Sequence, residues 1–420
     1  MSNLPIFASP AFQEDLVDSY QVDKNPLADV GMGPIEFNIT GNGDFIDLNS
    51  ITLSVKAKIT KVDGSAYADK AEVAFINNAL HSMFTDIIVT LGETIVEGGE
   101  QQYYLKSIIS TLFAYSDTTI EKRLFAAGFV KDDAGKADDV KNAGYLTRRG
   151  WTNTGASREF YGKLFVDLFQ QSRYLIGNMN MRIKLIKSTN SLALFTNIAG
   201  EKPKFVIESA KLFLKKVRPH PAIVNLVESH LSRGAMAHYP IHRTEITMIP
   251  TAANSLDITK DQLFYGKVPK ILVMCMVDNE ALSGVYGKTP FNFKHYNIKE
   301  VDLRIDGVSK PILPLTPDFK GGKCLREYMS LLENMNILGK DAYLPFTYED
   351  YLAGGYTFFA WNLTPDYQGQ AQDPTKRSNI RLCLKFAEAT TTAINVMLYA
   401  VFDSTVMIDG SGNVLTDYKA

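Results

Sequence analysis

His238 and His242 stand four residues apart, the spacing that sets two imidazoles on one helix face for a metal such as zinc. Pro240 lies between them, and the surrounding HYPIHRTEI reads as the start of a strand. Residues four apart on a strand share a face but sit about 13 Å apart, too far for one ion. Residues 283–289 (SGVYGKT) end like a phosphate-binding loop, but the glycine required five positions before Gly287 is Leu282. Pro290 follows directly and disfavours the helix whose N-terminus would hold the phosphate, so a polar loop between strands is expected. Asp409-Gly410-Ser411-Gly412-Asn413 places oxygens at alternate positions, like the opening of a calcium loop. The twelfth position is Ala420, which has no carboxylate to close the site, so a tight turn is expected. No Gly-x-Ser-x-Gly elbow occurs. No catalytic, cofactor-binding or metal-binding residue is therefore assigned. One basic cluster remains: Lys211, Lys215, Lys216, Arg218 and His220, with Lys211 and Lys215 on one face if the segment is a strand. It reads as a solvated strand edge or as an electrostatic contact with packaged nucleic acid or a partner tail.

His81 and His295 carry a different message, because the segments that follow them match. Residues 81–93 read HSMFTDIIVTLGE and residues 295–307 read HYNIKEVDLRIDG. Aligned on the histidines, Phe84 meets Ile298, Asp86 meets Glu300, Ile87 meets Val301, Val89 meets Leu303 and Leu91 meets Ile305. In the second copy Val301, Leu303 and Ile305 alternate with Asp302, Arg304 and Asp306, the period of a strand with one dry face. In the first copy Ile88 adds an apolar residue on the opposite face, so cover on both sides is expected. Each strand runs into a hairpin signal, Gly92-Glu93 or Asp306-Gly307. Downstream, Leu105, Ile108, Ile109 and Leu112 in one copy, and Leu325, Tyr328, Met329 and Leu332 in the other, lie at i, i+3, i+4 and i+7. Each set predicts an amphipathic helix against a sheet. Strand, hairpin and helix thus occur twice in the same order, which indicates a duplicated domain. The two histidines take structural roles at the strand starts.

A chain of 420 residues exceeds what one hydrophobic core usually supports, since cores stop growing near ~250–300 residues. Hydrophobic content of 45% with 21% charged residues is a globular balance, and 24 Phe and 20 Tyr suit strands. A net charge of −2 argues against a dedicated nucleic-acid binder while leaving room for a local basic patch. The three cysteines, Cys275, Cys324 and Cys383, are scattered, so neither a disulfide framework nor a Cys-x-x-Cys metal pair is expected, and a reducing compartment fits. The opening MSNLPIFASP reads as no signal peptide, and no apolar run reaches the ~20 residues of a membrane helix.

Residues 1–27, with Pro5, Pro10 and Pro26, are expected to be an extended arm ordered by partners. Strands are predicted at IEFNIT, FIDLNSITLSVKAKI, LFVDLF, MNMRIKLI and KFVIESAKLFLKKV. Residues 131–144 (KDDAGKADDVKNAG) predict a long exposed loop. PAIVNLVESHLSRG predicts a junction helix begun by Pro221 and ended by Gly234. RTEITMIP, KILVMCMV, YTFFAWNL, IRLCLKFA and INVMLYAVF continue the strands in the second half. Many short strands with long polar connections suggest a mainly β chain with a sandwich or jelly roll in each half. The expected organisation is an arm over 1–27, a first jelly roll over 28–218, and a junction helix with a second jelly roll over 219–420.

Several blocks then carry a resemblance. VPKILVMCMVDNEALSGVYGKTPFNFKHYNIKEVDLRIDGVSKPILPLTPDF, within residues 263–319, resembles the major capsid protein of the Maverick/Polinton and adintovirus group, a double jelly-roll lineage. Asp167-Leu168-Phe169, Arg173-Tyr174-Leu175, MRIKLI and Tyr239-Pro240-Ile241 are similar to the family as well. So are Gly355-Tyr356-Thr357, Asn362-Leu363-Thr364-Pro365-Asp366 and residues 381–387 (RLCLKFA). The resemblance spans roughly residues 30–410 and its motifs are structural, not catalytic. It implies a mainly β chain of two tandem eight-stranded jelly rolls with short helices in the connections, and a homotrimer with six jelly rolls about one axis, a near-hexagonal block that tiles an icosahedral shell around double-stranded DNA. It further implies penton and minor capsid partners, packaged DNA touched at most through local basic patches, residence in the virion and no enzymatic activity. The competing reading is a jelly-roll carbohydrate-binding or glycan-active protein, which would need an aromatic platform or paired carboxylates; Trp151 and Trp361 are the only tryptophans. A third is a vertex or spike protein, which a single jelly roll would suit better.

Overall fold

The computed structural model describes residues 15–31, 33–114, 123–335, 344–364 and 377–418. In the first half the strands are β1 (Leu16–Lys24), β2 (Ile35–Thr40), β3 (Phe45–Thr60), β4 (Val73–Phe75), β5 (Phe84–Leu91), β6 (Thr94–Glu97), β7 (Arg158–Lys163), β8 (Asn180–Lys187), β9 (Leu194–Thr196) and β10 (Lys204–Pro219). In the second they are β11 (Ala237–Thr251), β12 (Asp257–Lys260), β13 (Ile271–Asp278), β14 (Ile298–Ile305), β15 (Val308–Leu315), β16 (Phe359–Asn362), β17 (Ile380–Phe386), β18 (Ile394–Ile408) and β19 (Val414–Thr416).

The sheet orders repeat. The first half pairs β1-β10-β3-β7 in one sheet and β2-β8-β5-β6 in the other. The second pairs β11-β18-β13-β16 and β12-β17-β14-β15, with β19 added beside β18. Replacing each strand by its counterpart converts one pair of sheets into the other, and the pairings are antiparallel. This is a jelly roll written twice. The likeness extends to a defect: β5 slips register against β8 between Phe84 and Asp86, and β14 slips against β17 between Ile298 and Glu300. Those are the aligned positions of the two matching segments, and bulges are features that a fold keeps. Both hairpins turn on two residues with positive φ at Gly92, Asp306 and Gly307. The predicted helices follow, Tyr103–Ala114 after β6 and Leu325–Asn334 after β15.

Three apolar clusters hold the chain together. Leu53, Val55, Phe37, Ile183 and Leu212 fill the first jelly roll, and Leu272, Met274, Leu303, Leu384 and Leu398 fill the second. The third lies between the halves: Tyr104, Ile108 and Leu112 of the Tyr103–Ala114 helix meet Val273, Cys275, Val277, Met397 and Tyr399. This explains the unbroken apolar run ILVMCMV of β13. Its even-numbered residues enter the second core and its odd-numbered ones face the first half, so both faces are dry.

Three expectations are corrected, and the junction helix forms as expected. Leu16–Lys24, placed within the arm, is instead strand β1 at the edge of the first sheet, paired along β10. Only Leu16, Tyr20, Val22 and Lys24 are half-covered there, a thin signal that polar neighbours hide. Residues 1–14 of the expected arm lie outside the described residues. LFVDLF is no strand: Asp167–Gln170 is a single 3-10 turn, and its apolar residues are buried on every side. The strand before it is β7, REFYGK, which has a single buried side chain, Phe160, and so carries little apolar signal. Residues 131–142 lack helix and strand but are not simply exposed; Asp132 and Asn142 are buried. The junction helix forms as Pro221–Ser232, with Pro221 in its first turn, the His220 ring accepting from the Ala222 N–H, and Gly234 at φ 85° beyond its end.

Candidate functional site: the junction of the two halves

The residues singled out for chemistry are placed in structural roles. His242 Nδ1 lies within hydrogen-bond distance of Asp403 Oδ1 (2.8 Å), while the His238 carbonyl accepts from Arg173 (2.5 Å). Among the described residues no three His, Cys, Asp or Glu side chains form a metal-holding group. Lys288 turns back onto Asp278 (2.9 Å) and Glu280 (2.5 Å). Its loop abuts the first half, since a side chain at Gly287 would meet Asn197. Asp409 accepts from the Ser411 and Asn413 N–H groups and the Asn413 amide, a closed turn. Ala420, the missing closing ligand, lies outside the described residues.

His81 is fully buried in the short helix Ala79–Ser82 just before β5. The Tyr103 hydroxyl accepts from the Phe165 N–H (3.2 Å), leaving its proton for His81 Nδ1 at 2.8 Å. Burial pushes the His81 imidazole down to about 3, so it stays neutral. His295, ahead of β14, stacks flat on Phe319 at 4.3 Å and accepts from the Asn297 N–H. The aligned pair Asp86 and Glu300 diverges. Asp86 is buried and accepts from the Gly99 N–H (2.7 Å), whereas Glu300 faces solvent and pairs with Lys385 (2.8 Å).

The basic cluster separates by side. Lys211 and Lys215 share the exposed face, and Lys211 pairs with Asp23 (3.2 Å) and Arg218 with Asp44 (3.3 Å). Lys216 points inward and donates to the Thr40 (2.7 Å) and Gly41 (2.9 Å) carbonyls, tying β10 to the turn after β2. Lys216→Met is expected to lower stability by about 1–3 kcal/mol in denaturant melts, because two acceptors lose their donor. Neither tryptophan offers a flat open face: Trp361 is buried, and the Arg158 guanidinium lies 3.9 Å over the Trp151 ring.

What the fold concentrates at the boundary between halves is charge. Lys106, on the Tyr103–Ala114 helix, reaches Glu97 Oε1 (2.5 Å) and Asp167 Oδ1 (2.7 Å). Asp167 also accepts from the Thr244 N–H (2.7 Å) and hydroxyl (3.2 Å) of β11, and Glu97 accepts from the Asp167 N–H (2.7 Å). Burial, then repulsion from Asp167, pushes the Glu97 carboxyl up to about 7 against the pull of Lys106. Burial alone would lower the Lys106 ammonium, but Asp167 and Glu97 together hold it above the ordinary lysine value. The cluster borders a cavity of about 60 Å³ that Ile241, Arg243, Ile246 and Tyr418 of the second half close. Nothing in the sequence marks this triad, because only the fold brings residues 97, 106 and 167 together.

A second clasp uses residues 131–142. Asp132 pairs with the buried Arg148 (2.9 Å), its backbone N–H donates to the Tyr356 hydroxyl, and that hydroxyl donates to its carbonyl (2.9 Å). Asp138 accepts from the Thr289 N–H (2.8 Å) and the Asn292 amide (2.6 Å), and Lys131 reaches Asp350 (2.7 Å). The polar run DDAGKADD is therefore a strap: Arg148 of its own half neutralises Asp132, while the Asp132 backbone and the Asp138 carboxylate are held by Tyr356, Thr289 and Asn292 of the other half. Together with the pair of Lys131 and Asp350, these crossing contacts fix one jelly roll against the other.

No family model matches this chain. The chain is 24% identical over 385 residues to the uncharacterized protein F54H12.2 of Caenorhabditis elegans, covering 91% of this chain and 87% of that protein. Among solved structures, it superposes on a chain of the Sputnik virophage structure with a TM-score of 0.65 at 13% identity, covering 100% of this chain and 92% of that one. The PBCV-1 virus capsid model matches with a TM-score of 0.58 at 13% identity, covering 99% and 100%. The mavirus major capsid protein matches with 0.53 at 11% identity, covering 100% and 94%. The chain has the double jelly-roll fold of these viral capsid proteins along its whole length.

Proposed function

We propose that this chain is a major capsid protein of the Maverick/Polinton and adintovirus type, three copies of which form a near-hexagonal capsomer. Capsomers tile an icosahedral shell around double-stranded DNA, with penton and minor capsid proteins completing it in the virion. The observation that carries the reading is the duplication itself: two sheets in the same order twice, joined by a buried, charge-locked seam. A rigid pair of equivalent blocks is what a tile requires, and the work is surface complementarity without bond chemistry. The functional division is taken after residue 218, with the junction helix leading the second unit. Packaged DNA contributes at most through local patches such as Lys211, Lys215 and Arg218, in which Asp23 already offsets Lys211 and Asp44 offsets Arg218.

Electron microscopy of the purified chain tests this. Near-hexagonal particles or closed shells are expected. Monodisperse single chains that bind or cleave glycans would overturn it.

A further inference from the structure

The seam inside the chain shows how one jelly roll meets the next. The β6 edge of the first roll is covered by the β11 side of the second and by the segment that returns beside it. The Tyr418 hydroxyl donates to the Val96 carbonyl (3.0 Å), the Thr94 hydroxyl to the Val414 carbonyl (3.4 Å), and Asp167 takes the Thr244 N–H (2.7 Å). The duplicated topology gives each of these edges a counterpart. The counterpart of β6 is β15, and the counterpart of β11 is β1; both end their sheets among the described residues.

Both counterparts are open. On β15 and the start of the following helix, Ile312 is 82% exposed, Leu313 70%, Leu325 59% and Val308 56%. On β1, Val17 is 58% exposed. An apolar strip of this kind on an edge marks an interaction surface. It is not a site for strand addition: Pro311 and Pro314 lack N–H groups, and Arg326 already donates to the Leu313 (3.0 Å) and Pro314 (3.2 Å) carbonyls. The contact is left to side chains. Charge agrees. β15 and its flank expose Lys310 and Arg326, while β1 and the residue before it expose Asp15, Asp18 and Asp23. At the internal seam the first half brings the carboxylates Glu97, Glu100 and Asp167, two of them already held by its own Lys106, and Arg243 of the second half pairs with Glu245.

We propose that the β15 edge, through Ile312, Leu313 and Lys310, docks head-to-tail on the β1 edge of a second copy of this chain, through Val17 and Asp18, repeating the internal seam between copies. This rests on the capsomer reading and names its contact surface. Such a heterologous contact closes into a ring when the rotation per copy allows.

Sedimentation velocity on the full chain separates the possibilities. The wild type is expected as three-chain particles. Ile312→Asp with Leu313→Asp, and separately Val17→Asp, should each raise the dissociation constant at least ~100-fold and give folded single chains with an unchanged melting temperature. Asp18→Lys should weaken assembly, and adding Lys310→Asp should restore it. Variants that keep the three-chain particle overturn the edge contact while leaving the capsomer standing. The same holds if the variants melt earlier with assembly intact, since the chain itself would then cover the strip. A wild type that is already a single chain overturns the capsomer reading instead.

Discussion

Lys106→Met is expected to cost about 3–5 kcal/mol in denaturant melts, because it strips the shared cation from two buried carboxylates. In the native chain one ammonium lies within 2.7 Å of both Glu97 and Asp167. A methionine of similar length fills the volume and leaves two negative charges in a closed site. The pH dependence gives the sign. Glu97 sits at about 7 when folded, against an ordinary value of 4.5. A carboxyl raised by folding binds its proton more tightly in the folded state, so stability is greatest below pH 4.5 and falls as pH rises toward 7. That span corresponds to roughly 3 kcal/mol at most. The wild type should lose stability from this group over that window, and Lys106→Met should lose more over a wider one. Glu97→Gln should flatten the wild-type profile, and placed in the Lys106→Met background it should recover part of the loss. Equal melts of Lys106→Met at pH 5 and pH 8 would show that the cluster does not hold the seam.

Arg148→Met is expected to be comparably severe, at about 3–5 kcal/mol. Its guanidinium donates to Asp132 (2.9 Å), to the Phe75 carbonyl (3.2 Å) and to the Val130 carbonyl (3.3 Å), all in a nearly closed environment. Without it, Asp132 keeps the Asn77 amide (3.0 Å) as its side-chain donor and remains buried. The carboxylate then has strong reason to leave, and residues 131–142 should detach from the second half. Limited proteolysis should cut within that segment in the variant and spare it in the wild type. The double variant Arg148→Met with Asp132→Asn should recover much of the stability, because the uncompensated charge is gone.

How much of this was legible depends on where each element faces. β14 and β5 could be read because Val301 and Leu303, like Ile87, Val89 and Leu91, keep a period of two, although Asp302 on the opposite face of β14 is buried too, paired with Arg304; their hairpins rest on Gly92 and Asp306-Gly307. β13 could be read as a strand from its length, although its two dry faces erase the period. β1 was hidden because an edge strand needs few apolar residues, and LFVDLF misled because a turn buried on all sides carries no period. The strap at 131–142 looks solvated, since Asp138 and Lys131 are matched by Asn292 and Asp350, far away in the chain, and Asp132 by Arg148 in the following helix, which no spacing in the sequence announces. The same is true of Glu97, Lys106 and Asp167: pairing across topology leaves no spacing in the sequence.

A doubled jelly roll that serves as a tile assembles three chains into one block. Native mass spectrometry of the purified chain tests it most directly. A dominant species of three chain masses is the expected result; a single-chain mass persisting at every concentration would contradict it.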